Sequence, residues 1–275
     1  MREEPRGLVG LVTRPFRGGT PVIPVVRLQG VIASDARAGR INIANVAPLL
    51  ARAFAGDPPA VAVVVNSPGG SAVQSRLISK RIRDLADEHK TPVLVFVEDA
   101  AASGGYFIAT AGDEIIADPS SIVGSIGVIY SGFGFAGTLE KLGIERRVHT
   151  AGKNKSTLDP FLPEKPEDVE RIKAMETEVH QVFIDWVKAR RGAKLKASDD
   201  ALFTGEFWSG VRGLELGLID GLGDLRETLR ARFGDKVRIR LIEPKRPLFQ
   251  LPRLGLAADI AAAVEDRAAW SRLGL

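Results

Sequence analysis

The chain has 275 residues, of which 45% are hydrophobic and 26% charged, so it is long enough for one large folded domain and global disorder is excluded. It contains no cysteine, which excludes a disulfide framework, a thiol nucleophile and any cysteine metal site. The formal net charge is only +4 and the basic residues are interspersed with acids, which argues against a nucleic-acid partner.

Apolar runs alternate with amphipathic runs through the first half of the chain. Residues 1–20 are interpreted as an arm; after them, short apolar runs predict buried strands and a 3.6-residue period predicts helices. The predicted elements are a strand from Pro21, a helix over Ile43–Ala55, a strand over Val61–Val65, a helix over Ala72–Glu88, a strand over Pro92–Val97, a short helix over Ser103–Ala111 and a strand over Glu114–Ala117. Alternating strands and helices indicate parallel βαβ units, so the predicted fold class is α/β.

The second half of the chain is more polar and is dominated by helices. Its predicted elements are a long polar helix over Lys165–Arg191, a helix over Leu225–Phe233, a strand over Val237–Ile242 and a final helix near Ala257–Trp270. We therefore expect one domain over residues 21–242, followed by a basic linker and an amphipathic helix over residues 243–275.

The sequence shows no recognisable export signal and no membrane span. The first residues, MREEPRGLVGLVTRPFRGG, carry acids where a signal peptide has basic residues, and Arg14 and Arg17 interrupt the apolar stretch. No run of about 18 apolar residues follows. We expect a cytoplasmic protein, with attachment to a membrane surface left open.

Two glycine-rich steps each follow a predicted buried strand. The first step is Asn66-Ser67-Pro68-Gly69-Gly70-Ser71, and the second is Ala101-Ala102-Ser103-Gly104-Gly105. In a parallel sheet both steps emerge at the carboxyl ends of the strands, where active sites form. Each step also opens a helix, and two backbone N–H groups aimed at one point form an oxyanion hole.

Ser103 in the second step is either the N-cap of the following helix or a nucleophile in the cleft. A nucleophilic serine needs a base, and the chain has three histidines. We expect His89 and His180 to occupy ordinary solvated positions, which leaves His149 as a weak alternative. A buried lysine with a lowered pKa can also act as the base. The stretch AGKNKSTLDPF offers Lys153 and Lys155, and position alone does not choose between them.

Four ordered motifs resemble the S49 peptidase family, the group of signal peptide peptidase A and SohB. They are VVVNSPGGS, DAAASGGYFIATAGDEIIADPSSIVGSIGV, AGKNKSTLDPF and FTGEFWSGVRGLELGLIDGLGD, and the resemblance spans roughly residues 22–240. It implies a ClpP/crotonase-like fold, with stacked ββα units around a mostly parallel sheet and a projecting helical arm that builds oligomers.

The resemblance also implies a role for particular residues. The family's nucleophile falls on Ser103, and its general-base lysine falls on Lys155 rather than on the lysine two positions earlier. The oxyanion donors correspond to the N–H groups of Gly70 and Gly104. Ser125 matches a serine that holds the lysine by a hydrogen bond, a task for which a hydroxyl suits because it both donates and accepts.

The function implied is that of a serine endopeptidase that needs no metal or cofactor. Its substrates would be peptides, including remnant signal peptides or other hydrophobic peptides, and its assembly a homo-oligomeric ring or dome, a tetramer or octamer. Membrane-anchored members carry an N-terminal span, and none is seen in this chain. The expectation is therefore a SohB-like enzyme.

Two other functions stay open. A crotonase-type acyl-CoA hydratase or isomerase uses a similar pair of glycine N–H groups to stabilise an enolate, but it needs carboxylates at the steps, and Glu98 and Asp99 are expected only to end a strand. An inactive peptide-binding scaffold is the other alternative. It would need none of Ser103, Lys155 and Ser125.

The C-terminal helix has an apolar stripe, and the sequence does not show which surface this stripe contacts. Leu256, Ile260 and Val264 recur four residues apart, and Trp270 follows about one and a half turns later. We expect this helix to dock on its own domain or on a neighbouring subunit. Peripheral membrane contact through Trp270 is the alternative.

Overall fold

The computed structural model describes residues 20–35, 37, 39–244 and 256–275, and for residues 256–262 and 265 it describes the backbone only. Nearly all of the arm expected over residues 1–20 and most of the basic linker therefore lie outside the described residues.

A mostly parallel sheet forms the centre of the described domain. Its strands are β1 (Val22–Gln29), β2 (Val61–Ser67), β3 (Val93–Ala102), β4 (Glu114–Ala117), β5 (Ile122–Gly124), β6 (Phe207–Ser209), β7 (Gly221–Leu222) and β8 (Arg238–Leu241). They lie in the order β6-β5-β3-β2-β1-β8, with β4 beside β3 and β7 beside β4. The β5–β6 pair is antiparallel and the other pairs are parallel. The predicted α/β class is confirmed.

Helices cover the two faces of this sheet unequally. They are α1 (Ile43–Phe54), α2 (Ala72–His89), α3 (Gly104–Ala109), α4 (Ala136–Lys141), α5 (Pro166–Arg191), α6 (Asp199–Leu202), α7 (Gly210–Glu215), α8 (Leu225–Phe233) and α9 (Leu256–Ser271). The large core contains side chains of α1, α2, α3 and α5, whereas a smaller core on the opposite face is closed by α8.

Strand β2 shows why the centre of the sheet is continuously apolar. All seven of its residues are buried. Val63 and Val65 face the large core, whereas Ala62 and Val64 face the small one. A strand with helices on both faces has no solvent side, so its sequence does not alternate.

Side-chain caps fix the starts of the two helices that the sequence predicted best. The Asn42 side chain accepts a hydrogen bond from Asn45 N (2.9 Å) before α1, and Ser71 accepts one from Gln74 N (3.4 Å) before α2. These bonds satisfy N–H groups that the first turn leaves unpaired. The predicted bounds of α1 and α2 are accordingly correct to within one residue.

The structure departs from the predicted elements around β3. The strand predicted over Pro92–Val97 continues to Ala102, because its last residues pair with β5. The short helix predicted from Ser103 begins at Gly104. Strands β5, β6 and β7 were not predicted, since runs of two or three residues are too short to show a period.

Helix α5 is only in part the projecting arm that the resemblance implied. Its C-terminal half packs on the domain, where Phe183, Val187 and Arg191 are buried. Its N-terminal half is mostly exposed. In the described part of the chain, no helix combines the length and the apolar character that a membrane crossing requires.

Helix α9 lies against its own domain. Arg40 forms an ion pair with Asp266 (3.0 Å), and a cavity of ≈ 570 Å³ separates Trp270 from the ends of β1, β2 and β3. Val264 is exposed. The side chains of Leu256 and Ile260, the other members of the predicted apolar stripe, lie outside the described residues.

Candidate active site

The two glycine-rich steps meet at one edge of the sheet. Strands β2 and β3 are parallel, with Ser67 paired to Ala101, so the chain leaves both strands on the same side. The first step is fixed by Ile32, which donates its N–H to Gly69 O and accepts a bond from Ser71 N (both 2.8 Å). The predicted meeting of the steps is therefore present in the structure.

The contact between the steps is close enough to require glycine. A Cβ atom on Gly69 would lie 2.7 Å from Ser103 Cβ, and one on Gly104 would overlap Ser75 Oγ and lie 3.4 Å from Gly70 N. Gly69 and Gly70 also have φ values of 104° and 136°, which other residues rarely adopt. Backbone from one step therefore lies directly against the serine of the other.

Ser103 has an unusual backbone conformation for a residue with a side chain. Its φ is 50° and its ψ is −120°, outside the regions that L-residues normally occupy. Its N–H donates to Gly124 O (2.8 Å), and its carbonyl accepts from Phe107 N (3.0 Å). Both bonds hold the strained residue in place, and such strain concentrates at functional sites.

The Ser103 hydroxyl does not cap α3. Ser103 occupies the N-cap position of α3 without a capping hydrogen bond from its side chain, whereas the Ser71 side chain does cap α2. Within the described residues the hydroxyl makes no hydrogen bond, and the residue is half-buried. In the part of the chain that the structure describes, the Ser103 hydroxyl is therefore unpaired at the second glycine step.

Two backbone donors lie close to each other, since a Cβ atom on Gly104 would be 3.4 Å from Gly70 N. Neither Gly70 N–H nor Gly104 N–H has an acceptor within the described part of the chain. Gly104 is buried and Gly70 is exposed, so the pair spans the mouth of the site. Free N–H groups beside a nucleophile can stabilise a developing oxyanion.

Ser125 lies beside Ser103. Ala102 in β3 pairs with Gly124 in β5, and each serine is the next residue along its strand. Ser125 also has a positive φ, 53°, and its N–H donates to Glu206 O (2.6 Å). The structure therefore brings the two predicted serines to adjacent positions.

The segment FTGEFWSG belongs to one of the four motifs of the resemblance, and the resemblance assigned it no role. In the structure it supports the Ser125 turn. Glu206 supplies the acceptor for Ser125 N, and Trp208 pairs with Val123 across β5 and β6. A Cβ atom on Gly124 would lie 2.7 Å from the Trp208 ring, so only glycine fits between them. Ile32 and Gly69 are further contributors that sequence reasoning did not single out.

Lys155 forms no hydrogen bond with Ser103 in the structure. Its backbone N–H donates to Gly152 O (3.2 Å), and its ammonium group donates no hydrogen bond to any described residue. The side chains of Lys155 and Lys153 are both exposed. One chain alone therefore assembles the serine and the glycines but leaves the candidate lysine in solvent.

The lysine segment, defined as residues 128–163, is exposed or half-buried at every position. It folds onto itself, since Phe135 N donates to Pro160 O (2.6 Å) and the Phe135 and Phe161 rings lie 5.7 Å apart. Arg146 pairs with Asp159 (2.9 Å), and this hydrogen bond lowers the pKa of the Asp159 carboxyl. Its exposed large apolar residues are Val128, Ile129, Tyr130, Phe133, Phe135, Leu142, Ile144, Val148 and Phe161.

Two of the histidines lie differently from the sequence expectation. His89, expected to be simply solvated, is half-buried at the end of α2 and pairs with Asp57 (2.7 Å), whereas His149 is exposed in the lysine segment. His180, expected to be simply solvated, is half-buried, and its Nε2 lies 3.0 Å from the Ile126 carbonyl. It therefore neighbours the Ser125 turn, which its place in a polar helix did not reveal.

Glu98 and Asp99, which were expected to end a strand, lie inside β3 because this strand continues to Ala102, and both carboxylates make other contacts. Glu98 forms an ion pair with Arg27, and Asp99 accepts a hydrogen bond from the Asn66 side chain. Asn66 begins the first glycine step, but neither contact brings a carboxylate to the N–H groups of Gly70 or Gly104, which does not favour the crotonase alternative. Within the described residues, no cluster of three or more His, Asp or Glu side chains is arranged to hold a metal ion.

Known proteins resemble this chain in sequence over most of its length. A family model described as "Peptidase family S49" matches residues 86–236. "Serine protease SPPA, chloroplastic" from Arabidopsis thaliana is 31% identical over 70% of this chain, which covers 29% of that protein. Two proteins named "Na(+)/H(+) antiporter NhaA", from Brucella abortus and Brucella melitensis, are 55% and 54% identical over 96% of this chain. The chain spans 38% of the length of each of these two.

Solved structures resemble the fold at lower sequence identity. A serine-to-alanine mutant of the 1510-N membrane-bound stomatin-specific protease superposes with a TM-score of 0.53 at 18% identity, over 82% of this chain and 100% of that one. A lysine-to-alanine mutant of that protease, in complex with a substrate peptide, gives the same score over 94% of its own length. This likeness concerns the fold alone, and it confirms the ClpP/crotonase-like class.

Proposed function

This chain belongs to peptidase family S49, and from that premise we propose that it is a serine endopeptidase with a Ser103–Lys155 dyad. The observation that carries the proposal is the unbonded Ser103 hydroxyl, on a strained residue that touches the Gly69-Gly70 step. A residue that served packing alone would gain nothing from that conformation, because it costs about 1–3 kcal/mol.

The first step of the proposed reaction is acylation of the serine. Ser103 Oγ attacks the peptide carbonyl carbon while its proton passes to the neutral amine of Lys155. The carbonyl π electrons move to oxygen, and the resulting oxyanion accepts hydrogen bonds from Gly70 N–H and Gly104 N–H. Lys155 then gives the proton to the leaving amine as the C–N bond breaks.

Deacylation repeats these roles with water as the nucleophile. Lys155 accepts a proton from the water as it attacks the ester, and the Ser103 Oγ–carbonyl bond breaks with return of the proton to the serine. Ser125 has the role of orienting the lysine, because its hydroxyl can accept from a protonated amine and donate to a neutral one. Its position beside Ser103 supports this role.

The exposure of Lys155 supports an assembled enzyme. We propose a homo-oligomeric ring or dome, a tetramer or octamer, in which the lysine segment of one subunit completes the site of its neighbour. The segment exposes a set of large apolar side chains, and Phe133 is 81% exposed. An apolar surface of this kind marks an interaction site, and head-to-tail contacts close into rings.

Peptides are the proposed substrates, with remnant signal peptides or other hydrophobic peptides as the preferred class. The name of the Arabidopsis relative supports protease activity, and that of an Enterococcus faecium relative, which includes "signal peptide peptidase SppA", supports the substrate class. A cytoplasmic location belongs to the same proposal. Antiporter activity is not proposed, because Ser103, Ser125 and Lys155 all lie within residues 86–236, the part matched by the peptidase model.

Mixing two inactive variants tests the dyad and its assembly together. We expect Ser103→Ala and Lys155→Ala each to lack peptidase activity, and an equimolar mixture, unfolded and refolded together, to recover about a quarter of the sites in a ring with shared sites. The matched control mixes Ser103→Ala with the double variant Ser103→Ala, Lys155→Ala, which supplies no serine. A Lys155→Ala chain that is active alone would contradict the dyad. Two inactive variants whose mixture stays inactive would instead place both groups in one chain.

The C-terminal helix α9 is proposed to dock rather than to bind a membrane. The Arg40–Asp266 ion pair supports docking on the same chain. Deletion of residues 254–275 distinguishes the alternatives. Docking predicts a change in oligomeric state or thermal stability, whereas membrane contact predicts lost binding to anionic liposomes with the oligomer unchanged.

A further inference from the structure

Helix α3 has a special position because the nucleophile directly precedes it. It contains six residues, Gly104–Ala109, and Ser103 is joined to its first residue. A helix this short has little stability of its own and depends on tertiary contacts for its orientation. Any tilt of α3 therefore moves Ser103 and Gly104 N–H together.

Trp186 of helix α5 holds the C-terminal end of α3. Its indole Nε1–H donates to Thr110 Oγ1 (2.9 Å) and lies 3.3 Å from Phe107 O. Its ring also stacks on the Phe107 ring, with centroids 5.4 Å apart and planes inclined by 6°. The residue thus fixes α3 by two different kinds of contact.

Arg190, one turn further along α5, holds the carbonyl groups that follow α3. Its Nε donates to Thr110 O and its Nη2 to Gly112 O, each at 3.0 Å. From helix α2, Arg83 donates to the intervening Ala111 O (3.1 Å). Burial, and then the neighbouring charge of Arg83, lower the pKa of Arg190, which Asp113 partly offsets. A guanidinium remains protonated under such shifts and keeps its donors.

Helix α5 also has an anchor that is separate from these two residues. Arg191, the next residue, binds Gly217 O through Nε (3.0 Å) and Nη2 (2.7 Å) and forms an ion pair with Asp220 (2.7 Å). These bonds fasten α5 to the chain around β7 and not to α3. Anchoring α5 and holding α3 are therefore carried by different side chains of the same helix.

We propose that Trp186 and Arg190 are positioning residues, which hold α3 so that Ser103 and the Gly104 N–H keep their reactive geometry. This inference rests on the proposed function, since it assigns those groups a reaction. Its physical basis is that a nucleophile displaced by about 1 Å can lose a hundredfold in rate, while substrate contacts elsewhere are unaffected.

Helix α5, which carries Trp186 and Arg190, also contacts the lysine segment. Tyr130 of the lysine segment donates its backbone N–H to the Glu176 carboxylate, on the exposed half of α5. Helix α5 therefore contacts the lysine segment through Glu176 in its N-terminal half and the nucleophile helix near its C-terminal end. The join between α5 and α3 through Trp186 and Arg190 thus also affects where a chain presents its lysine segment to a neighbouring subunit.

Kinetics of three conservative variants test the inference. Trp186→Phe keeps the ring stacking but removes the donor, and Arg190→Lys keeps the charge but loses the two-carbonyl contact. We expect each to lower kcat about tenfold with KM within about twofold of wild type. Arg191→Lys is the matched control, since Arg191 is more buried; it should lower Tm more than Arg190→Lys does and leave kcat within about twofold.

The decisive comparison is between the two arginine variants: Arg191→Lys should lose more Tm, whereas Arg190→Lys should lose more kcat. A structural role alone would make kcat follow the loss of stability, so an equal or larger kcat loss in Arg191→Lys would overturn the inference. A loss confined to KM would overturn it too. Arg190→Ala adds a graded comparison, because lysine can restore one of the two hydrogen bonds and should retain more kcat than alanine.

Hydrogen exchange tests the same inference without using activity. In a Ser103→Ala background, we expect the amides of residues 107–111 to exchange faster in Trp186→Phe and Arg190→Lys, but not in Arg191→Lys. Unchanged exchange in the first two variants would overturn the positioning role. A wild-type chain that cleaved no peptide would contradict the proposed function instead, and the exchange result would still decide whether these side chains hold α3.

Discussion

The serine part and the lysine part of the proposed site are built in opposite ways. Around Ser103, paired strands set the positions, the φ values are restricted and neighbouring atoms leave room only for glycine. In the lysine segment every residue is exposed or half-buried, and the described contacts are with the segment itself and with α5. The contrast indicates that the fold of one chain determines the place of the proposed nucleophile but not that of the proposed base.

Substitution of the two dyad residues should give the largest loss of activity and tests both parts of the site at once. We expect Ser103→Ala and Lys155→Ala each to lower peptide hydrolysis by about 10⁴-fold, because serine and base act as a unit. Lys153→Ala is the matched control, an exposed lysine two residues away, and should keep most of its activity. Circular dichroism should show all three folded. Full activity in Lys155→Ala would direct attention to Lys153, His149 or His180.

Substitution of a glycine that is proposed to bind the oxyanion should give the next largest loss of activity. It changes the serine part of the site alone. In Gly104→Ala the added methyl would overlap Ser75 Oγ and lie close to Gly70 N, so both stability and kcat should fall, kcat by about a hundredfold. The double variant Gly104→Ala, Ser75→Ala removes the overlap. We expect it to recover Tm but not kcat. Recovery of both would mean that Gly104 serves packing only.

Disrupting the apolar surface of the lysine segment should cause a smaller loss of activity, and this loss should depend on the protein concentration. Phe133→Glu is expected to weaken association by about 2 kcal/mol, roughly thirtyfold, and to lower activity most in dilute solution. Leu241→Glu, at an exposed apolar residue outside the segment, is the control. Light scattering and activity should be followed together. A fully active Phe133→Glu monomer would contradict completion of the site by a neighbour.

The smallest expected effect concerns the anchoring of α5 to the domain. Burial alone would raise the pKa of Asp220, but the hydrogen bond and charge of Arg191, with Lys194, lower it overall. The carboxylate therefore contributes stability that is complete above its unfolded pKa of about 3.9 and is lost as pH falls through the folded value. Asp220→Asn should lower the free energy of unfolding by about 2 kcal/mol at pH 7 and by less near pH 3. An equal loss at both pH values in denaturant titrations would contradict this assignment.

The sequence predicted the long elements well because their signals are local. Helices α1 and α2 have an apolar period and a capping residue, and β2 is a continuous apolar run between turns. The same patterns placed the two glycine steps at strand ends, which was enough to bring Gly70 and Gly104 together. The ClpP-like class itself came from the resemblance, since alternation alone gives only α/β.

What the sequence did not reveal depends on distant contacts. The pairing of Ala102 with Gly124 sets Ser125 beside Ser103, and the partner of Ser125 N is Glu206, far along the chain. The backbone of Ser103 is strained by such contacts, and no local pattern indicates a positive φ at a serine. His180 likewise reaches the Ser125 turn only through the packing of α5.

The rate at which a fluorophosphonate probe labels the protein tests the central claim most directly. Such a probe reacts with an activated serine, and peptide mass spectrometry locates the adduct. We predict labelling at Ser103 that rises toward alkaline pH, because a lysine base must be neutral, and that is about a hundredfold slower or more in Lys155→Ala but near the wild-type rate in Lys153→Ala. An adduct on another residue, a rate maximum near pH 6, or wild-type labelling of Lys155→Ala would contradict the account.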